Sequence, residues 1–167
     1  MRITLLLAFA AGAFVALAQT GQQRTPQPER TFASASEVSS MIAKAKNERK
    51  PDQANFIQTL LRLSPYTVNL EYRVEGVDTP PTLHEAESEM IYVIDGAGML
   101  TQGGKILDEK RSNATNLTGS RIQGGSARRI AKGDYIFVPA NVPHSFTKTE
   151  GTLVIMSVHL PKDGAGK

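Results

Sequence analysis

Two histidines and one glutamate, His84, Glu89 and His144, lie in stretches where glycine and proline punctuate alternating apolar and polar residues. The first stretch reads Gly76-x5-Thr82-x-His84-x4-Glu89-x6-Gly96 and the second Gly133-x5-Pro139-x-Asn141-x2-His144. Two imidazole nitrogens and one carboxylate oxygen suit a borderline divalent metal, Fe, Mn, Ni, Co or Zn. A metal held by so few side chains keeps positions open for substrate or water. Such chemistry requires the three groups to converge, which their separation in sequence allows only if both stretches belong to one small β structure.

The spacing constrains how that structure is built. His84 and Glu89 are an odd number of positions apart and would face opposite sides of an uninterrupted strand. The intervening Glu85-Ala86-Glu87-Ser88 must therefore break the strand, so that His84 ends one and Glu89 begins the next. His144 follows a second strand, turn, strand arrangement through Val138-Pro-Ala-Asn-Val-Pro143. Period-two runs at Phe56–Leu63, Tyr66–Val74, Met90–Ile94, Tyr135–Val138 and Thr152–Val158, separated by turn residues, predict an all-β domain. A barrel or jelly roll fits them better than a parallel sheet with crossover helices. Asp95-Gly96 and Glu150-Gly151 are the expected tight turns, and Ile91, Val93, Phe137, Val138 and Phe146 the expected packing residues.

One helix precedes the strands. Ser34-Ala-Ser-Glu37 has capping-box spacing, with Val38, Met41, Ile42 and Ala45 following at helical intervals. Lys44, Lys46, Arg49 and Lys50 suit the negative end of its dipole, and Pro51 stops it. The segment 34–50 is thus a short amphipathic helix spanning about 36 to 48, its stripe packed on the strands or, less simply, used as a dimer contact.

Residues 1–18 read as a secretory signal peptide: Arg2, an apolar run from Ile3, and Ala16-Leu17-Ala18 before the polar Gln19. Residues 19–33, rich in Gln, Pro and Thr at their start, read as a flexible arm. Export to the periplasm or outside the cell follows, with no stable membrane anchor after cleavage. With no cysteine, the chain has neither disulfides nor a thiol for lipid attachment or nucleophilic catalysis. Removing Arg2 leaves 18 basic residues against 16 acidic, net +2 in place of +3, and the charges are scattered, so nucleic acid is not an expected partner. Residues 102–126, rich in Gly, Ser, Asn and Thr, read as a long excursion, either a lid over a site or mobile decoration.

Taken together the two stretches resemble the cupin superfamily, whose first motif carries glycine, five residues, His-x-His, three or four residues, glutamate, six residues and glycine. Gly76, His84, Glu89 and Gly96 fall at matching spacings, and Thr82 stands where the first metal-binding histidine is expected. In the second motif Gly133, Pro139 and His144 are in register, Asn141 replaces a turn glycine and Lys148 a terminal asparagine. Asparagine tolerates the positive φ such a turn needs. The resemblance implies a double-stranded β-helix (jelly-roll/cupin) barrel over residues 55–161, with a metal held near one mouth by His84, Glu89 and His144. Losing the ligand at Thr82 either opens the metal to substrate and dioxygen or weakens its binding.

Glu85 and Tyr92 are the acid–base candidates beside this segment, with Glu87 and Tyr135 as neighbours of the same kind. His159 belongs to neither motif and reads as structural or solvent-facing, or else as a group supporting the site. No Gly-x-Ser-x-Gly element or phosphate-binding loop is present, which leaves metal chemistry as the catalytic expectation. The expected function is an exported metal-dependent enzyme acting on a small organic molecule, an oxygenase or else a lyase or isomerase. The alternative is a non-catalytic small-molecule or sugar-binding module, and a homodimer is compatible with either.

Overall fold

The computed structural model describes residues 28–162. The expected signal peptide, 1–18, and the start of the 19–33 arm lie outside the described residues. Ser34 caps the helix α1 (Ala35–Glu48): its Oγ accepts from the Glu37 amide at 3.2 Å, while Glu37 Oε2 accepts from the Ser34 amide at 2.7 Å. Two amides that the helix itself cannot satisfy are thereby paired. The stripe of Val38, Met41, Ile42 and Ala45 packs on Leu60, Leu70, Tyr72 and Val154. Among the described residues no helix is long and apolar enough to cross a membrane.

Eleven strands follow: β1 (Phe56–Leu63), β2 (Tyr66–Val74), β3 (Thr82–His84), β4 (Glu87–Gln102), β5 (Lys105–Leu107), β6 (Lys110–Arg111), β7 (Asn116–Thr118), β8 (Arg121–Gln123), β9 (Ser126–Ala131), β10 (Tyr135–Val138) and β11 (His144–Pro161). The hydrogen-bonded order β1-β2-β11-β3-β7-β6 is joined to β4, which pairs with β11, β9 and β10. This is a strand-rich fold with jelly-roll-like connectivity. The long strands β4 and β11 run through both halves of it. Glu87–Asp95 of β4 lies against the C-terminal half of β11, and Ala97–Gln102 against the N-terminal half.

The tight turns expected at Asp95-Gly96 and Glu150-Gly151 are instead bends inside these two strands, where the β4–β11 register shifts. Gly96 has φ 80°, and a Cβ there would meet the Thr152 carbonyl oxygen at 1.8 Å, so only glycine admits the crossing. The 102–126 excursion is also not a free loop. Gly103, Gly104, Gly124 and Gly125 all adopt positive φ and let β5 pair with β8, while β7 joins the main sheet against β3. Local polarity hid these strands because they are short and only Ile106 is buried deeply.

One apolar core, with Ile91, Val93, Leu100, Ile130, Ile136, Val138, Phe146, Leu153 and Ile155, fills the interior beyond the site. Phe137 departs from its expected packing role: alternation along β10 buries Ile136 and Val138 and leaves Tyr135 and Phe137 exposed. In β2 the usual polarity is inverted. Since α1 covers Leu70 and Tyr72, the alternate residues Asn69, Glu71 and Arg73 face inward and line a cavity, with Glu71 and Arg73 buried.

Candidate metal centre

The strand break between His84 and Glu89 forms as the spacing requires, β3 ending at His84 and β4 starting at Glu87. His84 is fixed from both sides. Across the ladder it faces Asn116 on β7, whose Oδ1 lies 3.1 Å from His84 Nδ1, and its carbonyl accepts from the Asn141 amide at 2.8 Å. Asn141 adopts φ 64°, the left-handed conformation foreseen for an asparagine in place of the motif glycine. The next links tie the same turn to the carboxylate strand: the Ala140 amide donates to Ser88 Oγ at 3.1 Å, and Val138 sits opposite Glu89. His144, two residues beyond Val142, keeps Nδ1 3.4 Å from the Val142 carbonyl.

These contacts bring the three ligand-type groups together. With each Nδ1 turned to an oxygen acceptor, each Nε2 is free to offer its lone pair. Glu89 Oε2 lies 3.1 Å from His144 Nε2 and 3.7 Å from His84 Nε2, and the two rings are 5.4 Å apart. Two ligands each about 2.1 Å from one ion stand roughly 3.0–3.4 Å apart, so the cluster is close to the span one metal requires. Glu89 and His144 are buried, yet Glu89 Oε2 has no hydrogen-bond partner. A buried carboxylate oxygen with nothing to satisfy it between two imidazoles is the expected signature of a cation site.

Burial lowers the His84 pKa below its ordinary 6.5, overriding the Asn116 hydrogen bond and the Glu89 charge, which raise it; His144 and His159 lower it further. His84 is therefore neutral, the form that binds metal, at neutral pH. Burial pushes the Glu89 carboxyl up, but His144 Nε2 at 3.1 Å and the fields of His144, His159 and His84 prevail and hold it below its ordinary 4.5.

A second cluster, His84, Glu87 and His159, shares His84. Its Glu87 Oε2 already accepts from His159 Nδ1 at 3.0 Å, and its members are half-buried. The buried cluster with the unpaired oxygen is the better candidate for a cation site. His159, which the sequence leaves outside both motifs, has its ring 5.1 Å from that of His84 and lines the same cavity. The signal that would have found it is strand parity: Leu153, Ile155, Ser157 and His159 share one face of β11, and the first three are buried.

The cavity, about 280 Å³, is lined by Thr82, His84, Glu89, Asn116, His144 and His159 together with residues of β1 and β2. Thr82 stands directly across the ladder from His144. The acid–base candidates lie elsewhere. Tyr92, an odd number of residues from Glu89, faces the opposite side of β4 and packs its ring 4.7 Å from Tyr135. Glu85 points to solvent and pairs with Arg111 at 2.7 Å, a contact that lowers its pKa.

No protein-family model and no curated protein matches the sequence. Solved structures match in fold. A double-stranded β-helix domain protein from Klebsiella pneumoniae is 15% identical, with a TM-score of 0.51 over 71% of this chain and 85% of that one. A Bacillus halodurans protein is 17% identical, with a TM-score of 0.53 over 85% and 88% of the two chains. A cupin domain from Schizosaccharomyces pombe is 11% identical, with a TM-score of 0.50 over 70% and 72%. The chain has the cupin fold. At these identities the likeness carries architecture and not activity.

Proposed function

We propose that this chain is an exported, metal-dependent enzyme of the cupin type acting on a small organic molecule, with one divalent transition metal held by His84, Glu89 and His144 inside a closed barrel. The observation that carries the reading is Glu89 Oε2, buried and unpartnered beside two imidazole nitrogens in a cavity with room for a ligand. Two histidines and one carboxylate leave coordination positions free, as an oxygenase needs and as a lyase or isomerase also uses. When bound, the metal would polarise a coordinated oxygen of the substrate or, if iron, support reaction with dioxygen.

The protein's own residues supply the rest. Glu87 accepts from His159 Nδ1 at 3.0 Å and so leaves His159 Nε2 as the proton acceptor on the cavity wall. Asn116 and the Val142 carbonyl hold the two ligand rings. The non-catalytic alternative draws its support from Glu85 and Tyr92, neither of which lines the cavity.

Elemental analysis of the wild-type protein, with His84→Ala and His144→Ala as controls, tests the centre. Stoichiometric metal in the wild type and its loss in both variants are the expected results; metal retained by both variants contradicts the proposal. Turnover of a substrate panel that stops on chelation and in His159→Gln distinguishes an enzyme from a binding module, which would retain its ligand unchanged.

A further inference from the structure

Among the described residues, three buried side-chain polar atoms have no hydrogen-bond partner: Asn55 Oδ1, Arg73 Nη1 and Glu89 Oε2. All three residues line the same cavity. Glu89 belongs to the metal centre, but Asn55 and Arg73 stand on a different wall, made by β2 and the residue before β1. A buried donor or acceptor left unpaired is destabilising, so two of opposite kind in one cavity describe the ligand that would complete them.

Their orientation is set by neighbours. Arg73 donates through Nη2 to Glu71 Oε2 at 2.7 Å and through Nε to Thr79 Oγ1 at 3.1 Å, and its guanidinium carbon lies 4.2 Å from the Phe146 ring centroid. Glu71 also accepts from Asn55 Nδ2 at 2.6 Å and from Ser157 Oγ. Because a carboxylate only accepts, Asn55 must turn its nitrogen to Glu71, which leaves Oδ1 as a free acceptor. The residues of this wall thus hold one unpaired, positively charged N–H donor and one unpaired acceptor, both buried. A carboxylate answers the first and a hydroxyl the second.

We propose that the cavity binds a small hydroxycarboxylate, its carboxylate accepting from Arg73 Nη1 and its hydroxyl donating to Asn55 Oδ1. At about 280 Å³ the cavity is at the lower end of small-molecule sites, which restricts the ligand to a compact acid. Glu71, Glu89 and Arg73 together leave one negative charge on the cavity, and a divalent metal reverses it. Anion affinity therefore rises on metal loading, a clause that rests on the metal reading, whereas the recognition by Arg73 and Asn55 does not.

Calorimetric titration of the full-length protein, metal-free and zinc-loaded, with lactate, propionate and lactamide tests this, with zinc content measured in parallel. Lactate should bind, with propionate, which lacks the hydroxyl, and lactamide, which lacks the charge, each roughly tenfold or more weaker. Asn55→Ala should remove the advantage of lactate over propionate, and Arg73→Lys, which keeps the charge opposite Glu71, should weaken lactate roughly tenfold. Lactate preference in protein that takes up no zinc supports the proposal and shows that recognition by Arg73 and Asn55 stands without that metal. Stoichiometric zinc with no lactate binding, with lactamide bound as well as lactate, or with equal lactate affinity in the wild type and both variants overturns the proposal and spares the metal reading.

Discussion

The Asn141 amide donates to the His84 carbonyl at 2.8 Å, so the turn that leads into His144 is bonded to the strand that carries the other imidazole. The geometry of the site therefore depends on a backbone contact between the two motifs. Asn141 makes that contact at φ 64°, where a Cβ is strained. Asn141→Gly should leave the urea midpoint nearly unchanged, whereas Asn141→Ala should destabilise by about 1–2 kcal/mol and lower metal affinity. Equal midpoints for the two variants would show that the turn is not under this constraint.

Asn116 reaches His84 Nδ1 from β7, inside the segment that reads in sequence as a long excursion, a lid or mobile decoration. Replacing it with leucine removes the acceptor that orients the ring without touching a ligand. Metal affinity, measured by competition with a chromophoric chelator, should fall about 10–100-fold. Affinity unchanged in Asn116→Leu would mean that packing alone holds the ring.

Acid should weaken the metal-free protein in two stages. The folded His84 pKa is depressed below the 6.5 of the unfolded chain, so the unfolded state takes up the proton first, and stability is full above 6.5 and declines as pH falls through the folded value. Glu89, held below its ordinary 4.5, adds a contribution present above 4.5 and lost as pH falls through its folded value. Urea midpoints measured from about pH 7.5 down to about pH 3.5 should show both declines, and His84→Gln should flatten the upper one. A midpoint that rises on acidification through the upper window contradicts this account of His84.

Glu71 and Arg73 form a buried pair at 2.7 Å, with side-chain exposures of 7% and 4%. Glu71→Ala would strand the guanidinium on the cavity wall and should cost about 3–5 kcal/mol in chemical denaturation. Replacing both with apolar residues should recover most of that loss while abolishing carboxylate binding, which separates the stability role of the pair from recognition.

Much of this protein follows from its order of residues. The capping box at Ser34 and Glu37, the period-two strands and the break between His84 and Glu89 are local, because each follows from backbone geometry within a few residues. The relation of Thr82, His84, Glu89 and His144 is written in spacing, and the turn at Asn141 in residue type. What the tertiary structure decided is which face of each strand is the inside. Asn69, Glu71 and Arg73 look like an ordinary solvent-facing edge until α1 is laid over Leu70 and Tyr72 and turns them inward. His159 enters the cavity through its pairing opposite Glu89, and Asn116 meets His84 because glycines at positive φ fold residues 102–126 back onto the sheet. Alternation along a strand tells which residues share a face, but only contacts between elements distant in sequence determine which face is covered.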